Sequence, residues 1–194
     1  MRIVGGTYRG RALAAPEGKG TRPTTDRMRE SIASMVLSAK GLDLTGAHVL
    51  DAFAGSGCVG LELVSRGADH VTFCERDAKA IACIRKNTQT LGLKGAQFTV
   101  VRGDVLKLAE ARPLAGAPFD IVFLDPPYKM EAELVSKLVG DLIRTGSLAP
   151  ECVVVYEREG KAAGLEVDGL VLERSKVKGT TGVDLYRFCD DEVE

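Results

Sequence analysis

The stretch HVLDAFAGSGCVGLELVSRGA, residues 48–68, joins a strand pattern, a glycine-rich turn and a helix pattern in immediate succession. Residues 48–53 are strand-like, and the apolar residues of 57–68 favour a helix. The glycines between them, Gly55, Gly57 and Gly60, have the spacing G-x-G-x-x-G. A strand that leads through such a turn into a helix is typical of the first unit of an α/β fold.

The rest of the chain repeats this alternation. Strand patterns occur at 70–75, 97–104, 120–125 and 151–157, and helix patterns occur over 78–92 and about 130–145. This order predicts βαβ units with right-handed crossovers, and therefore a mostly parallel sheet with helices on both faces. The segment LVLERSKVKGTTGVDLYRFC, residues 170–189, contains two strand patterns around a Gly/Thr turn, which predicts a C-terminal antiparallel hairpin.

The N-terminal segment differs from this core. MRIVGGTYRGRAL, residues 1–13, has two short strand patterns around glycines and predicts a small β-hairpin. TRPTTDRMRE, residues 21–30, starts a helix that Thr24 or Thr25 can cap, with Asp26 in its first turn. We therefore divide the chain into a basic hairpin extension at 1–22, one domain at 23–189 and an acidic tail at 190–194.

Charge is distributed unevenly along the chain. Residues 1–40 hold 8 basic and 3 acidic residues, whereas the remainder holds 18 basic and 24 acidic ones. A basic segment on a mildly acidic body suggests a polyanionic partner such as nucleic acid. The chain has no apolar run of membrane length and no signal-peptide pattern, and its five cysteines lack metal-site spacing. We expect a cytoplasmic protein with no membrane contact and no metal site.

An acidic residue follows each of four successive strand patterns. These residues are Asp51, Glu75, Asp104 and Asp125, and the carboxyl ends of parallel strands form the edge where α/β sheets bind ligands. The glycine spacing also fits a dinucleotide, but a carboxylate at Asp51 would repel a diphosphate. S-adenosylmethionine (SAM) carries a sulfonium and an ammonium and no phosphate, so the acids favour SAM.

The stretch FLDPPY, residues 123–128, ends the fourth strand pattern with two prolines. Methyl transfer to the exocyclic amine of a base requires acceptors for both N–H groups, because the lone pair must turn away from the ring. Asp125 and the carbonyl of Pro126 can supply these acceptors, while Pro126 and Pro127 offer no competing N–H. Tyr128 offers a face on which an extruded base can stack. This motif predicts a site that holds an amine.

The combination of DAFAGSG at 51–57 with FLDPPY resembles class I SAM-dependent amino-methyltransferases. The N-terminal MRIVGGTYRGRAL and TRPTTDRMRE resemble the RsmD family of bacterial 16S ribosomal RNA (guanine-966 N2) methyltransferases, from residue 1 to about 188. The resemblance implies a Rossmann-like, seven-stranded methyltransferase sheet, with Asp125, Pro126, Pro127 and Tyr128 holding the guanine amine. It also implies SAM binding by Asp51, Phe53, Ala54, Gly55, Gly57, Glu75, Arg76, Asp104 and Val105.

The same resemblance implies, as partner, 16S ribosomal RNA in a partly assembled small subunit, and we expect a monomer. The residues expected to contact phosphates are Arg2, Arg9, Arg11, Arg22, Arg27 and Arg29, with Arg9 and Arg11 foremost. Some of them could instead form ion pairs, such as Arg29 with Asp26. Lys176 and Lys178 on the C-terminal hairpin form a second candidate patch.

Three other functions remain open from the residues alone. A DNA amino-methyltransferase shares the FLDPPY chemistry, although only about 45 residues precede the core and no insertion interrupts it. A NAD-dependent dehydrogenase would need a catalytic histidine, whereas His48 and His70 each open a strand at the end opposite the ligand edge. A non-catalytic SAM-binding module would not need the intact Asp125–Tyr128 motif.

Overall fold

The computed structural model describes residues 1–16 and 25–189. Their helices are α1 (Asp26–Ala39), α2 (Cys58–Ser65), α3 (Ala78–Leu91), α4 (Val105–Ala111) and α5 (Ala132–Arg144). Their strands are β1 (His48–Asp51), β2 (His70–Glu75), β3 (Phe98–Arg102), β4 (Phe119–Leu124), β5 (Leu148–Glu159), β6 (Leu170–Lys178) and β7 (Thr181–Phe188). Only α4 was not predicted, because its seven residues are too few for an apolar period to stand out.

The seven strands form one sheet in the order β3-β2-β1-β4-β5-β7-β6. The pairs from β3 to β5 are parallel, whereas β7 is antiparallel to both β5 and β6. This confirms the predicted Rossmann-like methyltransferase sheet with a C-terminal antiparallel hairpin. β7 inserts between β5 and β6, so β6 is an edge strand and is almost entirely exposed.

Consecutive residues of each central strand enter different cores, as the two-residue period of a strand requires. On β4, Phe123 packs with α1, α2 and α3 on one face of the sheet, whereas Leu124 packs with α4 and α5 on the other. The central strands are covered on both faces, which explains their nearly unbroken apolar sequences. Among the described helices, none is long and apolar enough to cross a bilayer.

The N-terminal hairpin is closed by an antiparallel bridge between Arg2 and Ala12, which agrees with the sequence prediction. It packs on α2, where the buried carboxylate of Glu62 accepts hydrogen bonds from the amides of Val4 and Gly5, both at 2.8 Å. Its apolar residues Ile3 and Leu13 are buried in the core that α1 and α2 share. Residues 1–16 therefore pack against the main domain; residues 17–24, with the predicted boundary at 22/23, and the tail at 190–194 lie outside the described residues.

Helix α1 begins as predicted, since the Thr25 side chain caps it by accepting from the Met28 amide at 3.2 Å. Its buried stripe contains an arginine that we had expected to contact RNA. Arg29 is 1% exposed, donates to the Arg2 carbonyl at 2.7 Å and pairs with Asp26. The phosphate contact predicted for Arg29 is therefore wrong, because the side chain points inward to join α1 to the hairpin.

Candidate functional site

A cavity of about 1700 Å³ opens at the carboxyl edge of the sheet. The loops after β1, β2, β3 and β4 line it. The end of β5, the β6–β7 hairpin, the start of α1 and residues of the N-terminal segment (Met1, Ala15 and Pro16) line its other sides. The predicted cofactor residues that line it are Phe53, Ala54, Gly55, Glu75, Arg76, Asp104 and Val105. The predicted amine-holding residues, from Asp125 to Tyr128, line the same cavity.

The glycine loop connects β1 to α2, and its last glycines pack very closely against side chains of β2. Gly57 has φ 74°, a left-handed conformation that favours glycine, and it caps the N-terminus of α2. A Cβ on Gly60 would lie 2.7 Å from both the Phe73 ring and the Val71 side chain on β2. In contrast, a Cβ on Gly55 would meet no atom within 4 Å. Gly57 and Gly60 thus hold helix to sheet, while Gly55 leaves its backbone accessible to a ligand.

The carboxylate of Glu75 holds this loop in place. It accepts hydrogen bonds from the amides of Gly55, Arg76 and Asp77, each at 2.8 Å. The SAM contact predicted for Glu75 would therefore use the acceptor capacity that these three bonds leave. Asp104 also has both a structural contact and access to the cavity. Its Oδ1 caps α4 by accepting from the Leu106 amide at 3.2 Å, and the residue lines the cavity.

Asp51 lies behind the cavity wall rather than on it. The residue is 1% exposed, and its Oδ2 accepts from the Gly60 amide at 3.1 Å. Burial raises the pKa of Asp51 to about 7, the Gly60 bond opposes the rise, and the negative charges of Asp125 and Glu75 add to it. Neither Asp51 nor Gly57 belongs to the described lining, so any effect of these two on a ligand acts through the loop or through charge.

The turn after β4 contains the two predicted acceptors, the Asp125 carboxylate and the Pro126 carbonyl. Burial raises the pKa of Asp125 to about 6. The Pro127 carbonyl accepts from the Met130 amide at 2.8 Å, whereas the Pro126 carbonyl accepts no hydrogen bond from the residues described. Tyr128 is 53% exposed at the cavity mouth, where its ring is accessible to a planar group.

The structure adds residues that sequence reasoning missed or ranked low. Glu157 near the end of β5 is 7% exposed and lines the cavity, so a fifth strand brings an acid to this edge. The only sequence signal for it was the acid in the strand pattern ECVVVYE. Lys176 and Lys178, the weaker candidate patch, also line the cavity, as do the exposed Arg27 and Lys129.

The other arginines predicted to bind RNA lie apart from the cavity lining. Arg9 and Arg11 are exposed on the N-terminal hairpin, and Arg2 is exposed while forming an ion pair with Asp26 at 3.1 Å. Arg22 lies outside the described residues. The two histidines open β1 and β2 at the opposite edge, with ring centroids 5.5 Å apart. Residues 1–16 and 25–189 contain no group of three potential metal-binding side chains.

Sequence comparison places this fold and site in a known family. The family described as "Conserved hypothetical protein 95" matches residues 1–187. Ribosomal RNA small subunit methyltransferase D of Escherichia coli K12 is 35% identical over 96% of this chain and 89% of its own length. YlbH of Bacillus subtilis, provisionally named an rRNA methyltransferase, is 38% identical over 96% of this chain and 98% of its own length.

A solved structure agrees with these relatives. The yhhF protein of Escherichia coli, provisionally named a methyltransferase, superimposes with a TM-score of 0.81 and 35% identity over 97% of this chain and 98% of that one. The match therefore includes the N-terminal hairpin as well as the sheet. The chain belongs to the Conserved hypothetical protein 95 family, the family of ribosomal RNA small subunit methyltransferase D.

Proposed function

We propose that this protein transfers a methyl group from SAM to the exocyclic N2 amine of one guanine in 16S ribosomal RNA, at position 966. The observation that carries the proposal is that the Asp125–Tyr128 turn and the glycine loop line one cavity. SAM and the base could therefore bind side by side, and the methyl group could pass directly from one to the other. The homology to ribosomal RNA small subunit methyltransferase D supports RNA as the substrate.

The charge of the site fits SAM better than it fits a dinucleotide. Burial raises the pKa of Asp51, and the negative charges of Asp125 and Glu75 raise it further, so the ionised Asp51 carboxylate would meet repulsion from both. A cation would relieve this repulsion, whereas a diphosphate would increase it. SAM, when bound, supplies a methyl group on a positively charged sulfur. Glu75, Asp104 and the backbone at Gly55 are the residues that would hold it.

The Asp125–Pro126 pair prepares the amine. Its side-chain carboxylate and the Pro126 carbonyl accept the two amine hydrogens, so the nitrogen lone pair turns out of the base plane. The two prolines fix these acceptors before the base arrives, so little reorganisation is needed. Orientation of the two reactants supplies most of the rate enhancement, and Asp125 or water takes the proton that the amine loses.

The size of the cavity and its mouth fit an extruded nucleotide. Small-ligand sites usually measure about 300–1000 Å³, so a volume of about 1700 Å³ leaves room for a base beside SAM. The exposed ring of Tyr128 offers a stacking surface for that base. Arg27, Lys129, Lys176 and Lys178 surround the mouth, where flanking phosphates would lie.

Arg9 and Arg11 are exposed on the N-terminal hairpin, and Arg2 is exposed as well, so these three arginines are further candidates for contacts with phosphates outside the cavity. Phosphate contacts of this kind position an RNA but do not select its sequence. The substrate is the partly assembled small subunit, in which RNA shape and neighbouring proteins can select the nucleotide, and the enzyme acts as a monomer.

The test is tritiated-methyl transfer from SAM to small ribosomal subunits taken from a strain that lacks this gene, with naked 16S RNA and duplex DNA in parallel. Identification of the labelled nucleoside should give N2-methylguanosine from the subunits. Label in DNA as N6-methyladenine would instead support a DNA amino-methyltransferase. SAM binding with no label in any substrate would support a binding module.

Asp125→Ala tests the amine-holding role directly. The variant should bind SAM with nearly unchanged affinity and lose methylation by at least about 100-fold, because one of two preorganised acceptors is gone. Normal turnover by this variant would refute the role of Asp125.

A further inference from the structure

One buried side chain joins the N-terminal segment to the glycine loop. Asn87 lies on α3 and has none of its surface exposed. Its Oδ1 accepts from the Ala14 amide at 2.7 Å, and its Nδ2 donates to the Ala14 carbonyl at 3.1 Å. The same Nδ2 donates to the Ser56 carbonyl at 3.0 Å. A single amide group therefore bonds both backbone groups of Ala14 and fixes them relative to the glycine loop.

The two segments that Asn87 joins both line the cavity. Ala15 and Pro16 directly follow the bonded alanine, and Ser56 lies on the glycine loop. Met1, at the other end of the N-terminal hairpin, lines the cavity as well, and Ser56 Oγ donates to Met1 Sδ at 3.6 Å. Part of the cavity wall is thus made by the N-terminal segment, next to the loop that the sequence predicts to hold SAM.

This part of the wall exists only while the N-terminal segment stays docked. Truncation of Asn87 would remove three hydrogen bonds at once, and each buried bond of this kind contributes to the docked state. A ligand that contacts the wall binds the docked state more tightly than the undocked one. Its apparent dissociation constant therefore rises in inverse proportion to the docked fraction.

We propose that Asn87 is a positioning residue for SAM, which keeps the N-terminal segment docked as one wall of the cofactor site by bridging Ala14 and Ser56. This inference deepens the proposed function and rests on it, because that function assigns the cavity to SAM. Asn87 does not belong to the described lining, so it acts through the backbone of the two segments. The same contact holds the end of the hairpin that carries Arg9 and Arg11, which places the cofactor site and these arginines in one rigid unit.

Calorimetry of SAM binding to Asn87→Ala tests the role of the bridge. The variant should bind SAM at least about 10-fold more weakly, because the docked fraction falls. At saturating SAM, kcat on small ribosomal subunits should stay within about threefold of the wild type, because bound SAM restores the docked state. Thr88→Val is the matched control. Thr88 is buried on the same helix, and its Oγ1 donates to the Arg85 carbonyl at 2.9 Å within α3, so this variant should keep the wild-type SAM affinity.

Alkylation of Cys83 reports docking without any turnover. The Cys83 Sγ donates to the Ala14 carbonyl at 3.3 Å, and the residue is 7% exposed. Labelling by iodoacetamide, located by mass spectrometry, should be at least about 10-fold faster in Asn87→Ala, because the undocked state exposes the thiol. Saturating SAM should slow this labelling again. In the wild type and in Thr88→Val, the labelling should be slow with or without SAM.

A second variant attacks the bridge from its other side. If Asn87→Ala does not fold, Ala14→Pro removes the amide donor at a partly exposed position and should weaken SAM binding in the same way. Unchanged SAM affinity in a folded variant of either kind, an equal loss in Thr88→Val, or Cys83 labelling that SAM does not slow in Asn87→Ala would overturn the role of Asn87.

Failure of the proposed function has a different signature. A wild-type protein that binds SAM but forms no N2-methylguanosine would overturn that function, and the binding and labelling results would still decide the role of Asn87.

Discussion

Glu62→Gln should loosen the N-terminal hairpin while leaving the domain folded. The Glu62 carboxylate is 1% exposed and accepts from the amides of Val4 and Gly5 and from Arg66 Nε, all at 2.8 Å. A glutamine has the same shape but only one acceptor oxygen, so one hairpin amide would face an NH2 group. Hydrogen bonds to a charged group contribute about 1.5–3 kcal/mol each, so we expect hairpin docking to weaken by about 2–3 kcal/mol.

Hydrogen exchange measures this weakening at the amides that bond to α2. These are Val4 and Gly5, with Thr7 donating to the Ser65 carbonyl at 2.7 Å and Tyr8 donating to Ser65 Oγ at 2.9 Å. About 2–3 kcal/mol corresponds to exchange that is roughly 30- to 150-fold faster. Amides of the central strand β4 should keep their protection, because they open only with the whole domain.

The functional consequence follows from the charges that the hairpin carries. Arg9 and Arg11 would no longer be held in place, so RNA affinity should fall while SAM affinity stays unchanged. Glu30→Gln on the exposed side of α1 is the control and should change neither quantity. Unchanged exchange at the four hairpin amides in Glu62→Gln would refute the docking argument.

Two further predictions concern the ligands. Burial raises the pKa of Asp51 to about 7, above the ordinary value of 3.8, so SAM affinity by calorimetry should increase from pH 5 to pH 8 as this carboxyl ionises. Asp51→Asn should remove that increase, and a pH-independent SAM affinity in the wild type would contradict the charge argument. The free wild-type protein should lose stability as pH rises from about 4 to 7, because burial also raises the pKa of Asp125 to about 6 and the folded state binds both protons more tightly than the unfolded state does. Changing Arg9 and Arg11 together to Glu should weaken RNA binding and reduce the slope of log K against log salt by about 1.4, at about 0.7 for each single-strand phosphate contact. Lys94→Glu, at an exposed position in the loop after α3, is the control and should leave the slope unchanged. An unaltered RNA affinity in the double arginine variant would show that RNA binds to a different surface.

Local sequence patterns determined most of the secondary structure. The period of the apolar residues predicted all seven strands and four of the five helices, because amphipathic or buried segments show their period along the chain. Glycine and proline were equally informative. Gly92, the last residue of the helix pattern at 78–92, has φ 73° and caps α3, and β4 ends just before Asp125 and the two prolines. The acids that follow successive strands predicted a shared edge, since parallel strands bring their carboxyl ends together.

Only the tertiary structure decided which polar side chains line the cavity and which are buried elsewhere. Arg29 reads as a surface cation in the sequence, yet it lies under the N-terminal hairpin, whose contact with α1 no local pattern encodes. Asp51 and Glu157 are both acids near strand ends, but of these two only Glu157 lines the cavity. The first turn of α2, whose Gly60 amide bonds to Asp51, covers that carboxylate, whereas β7 leaves Glu157 at the wall. Burial and direction depend on which elements become neighbours, and that information is spread over residues far apart in the chain. The sequence by itself therefore determined the fold class and predicted an amine-holding role for Asp125, whereas the packing of the hairpin, α2 and β7 decided which charged side chains line the cavity.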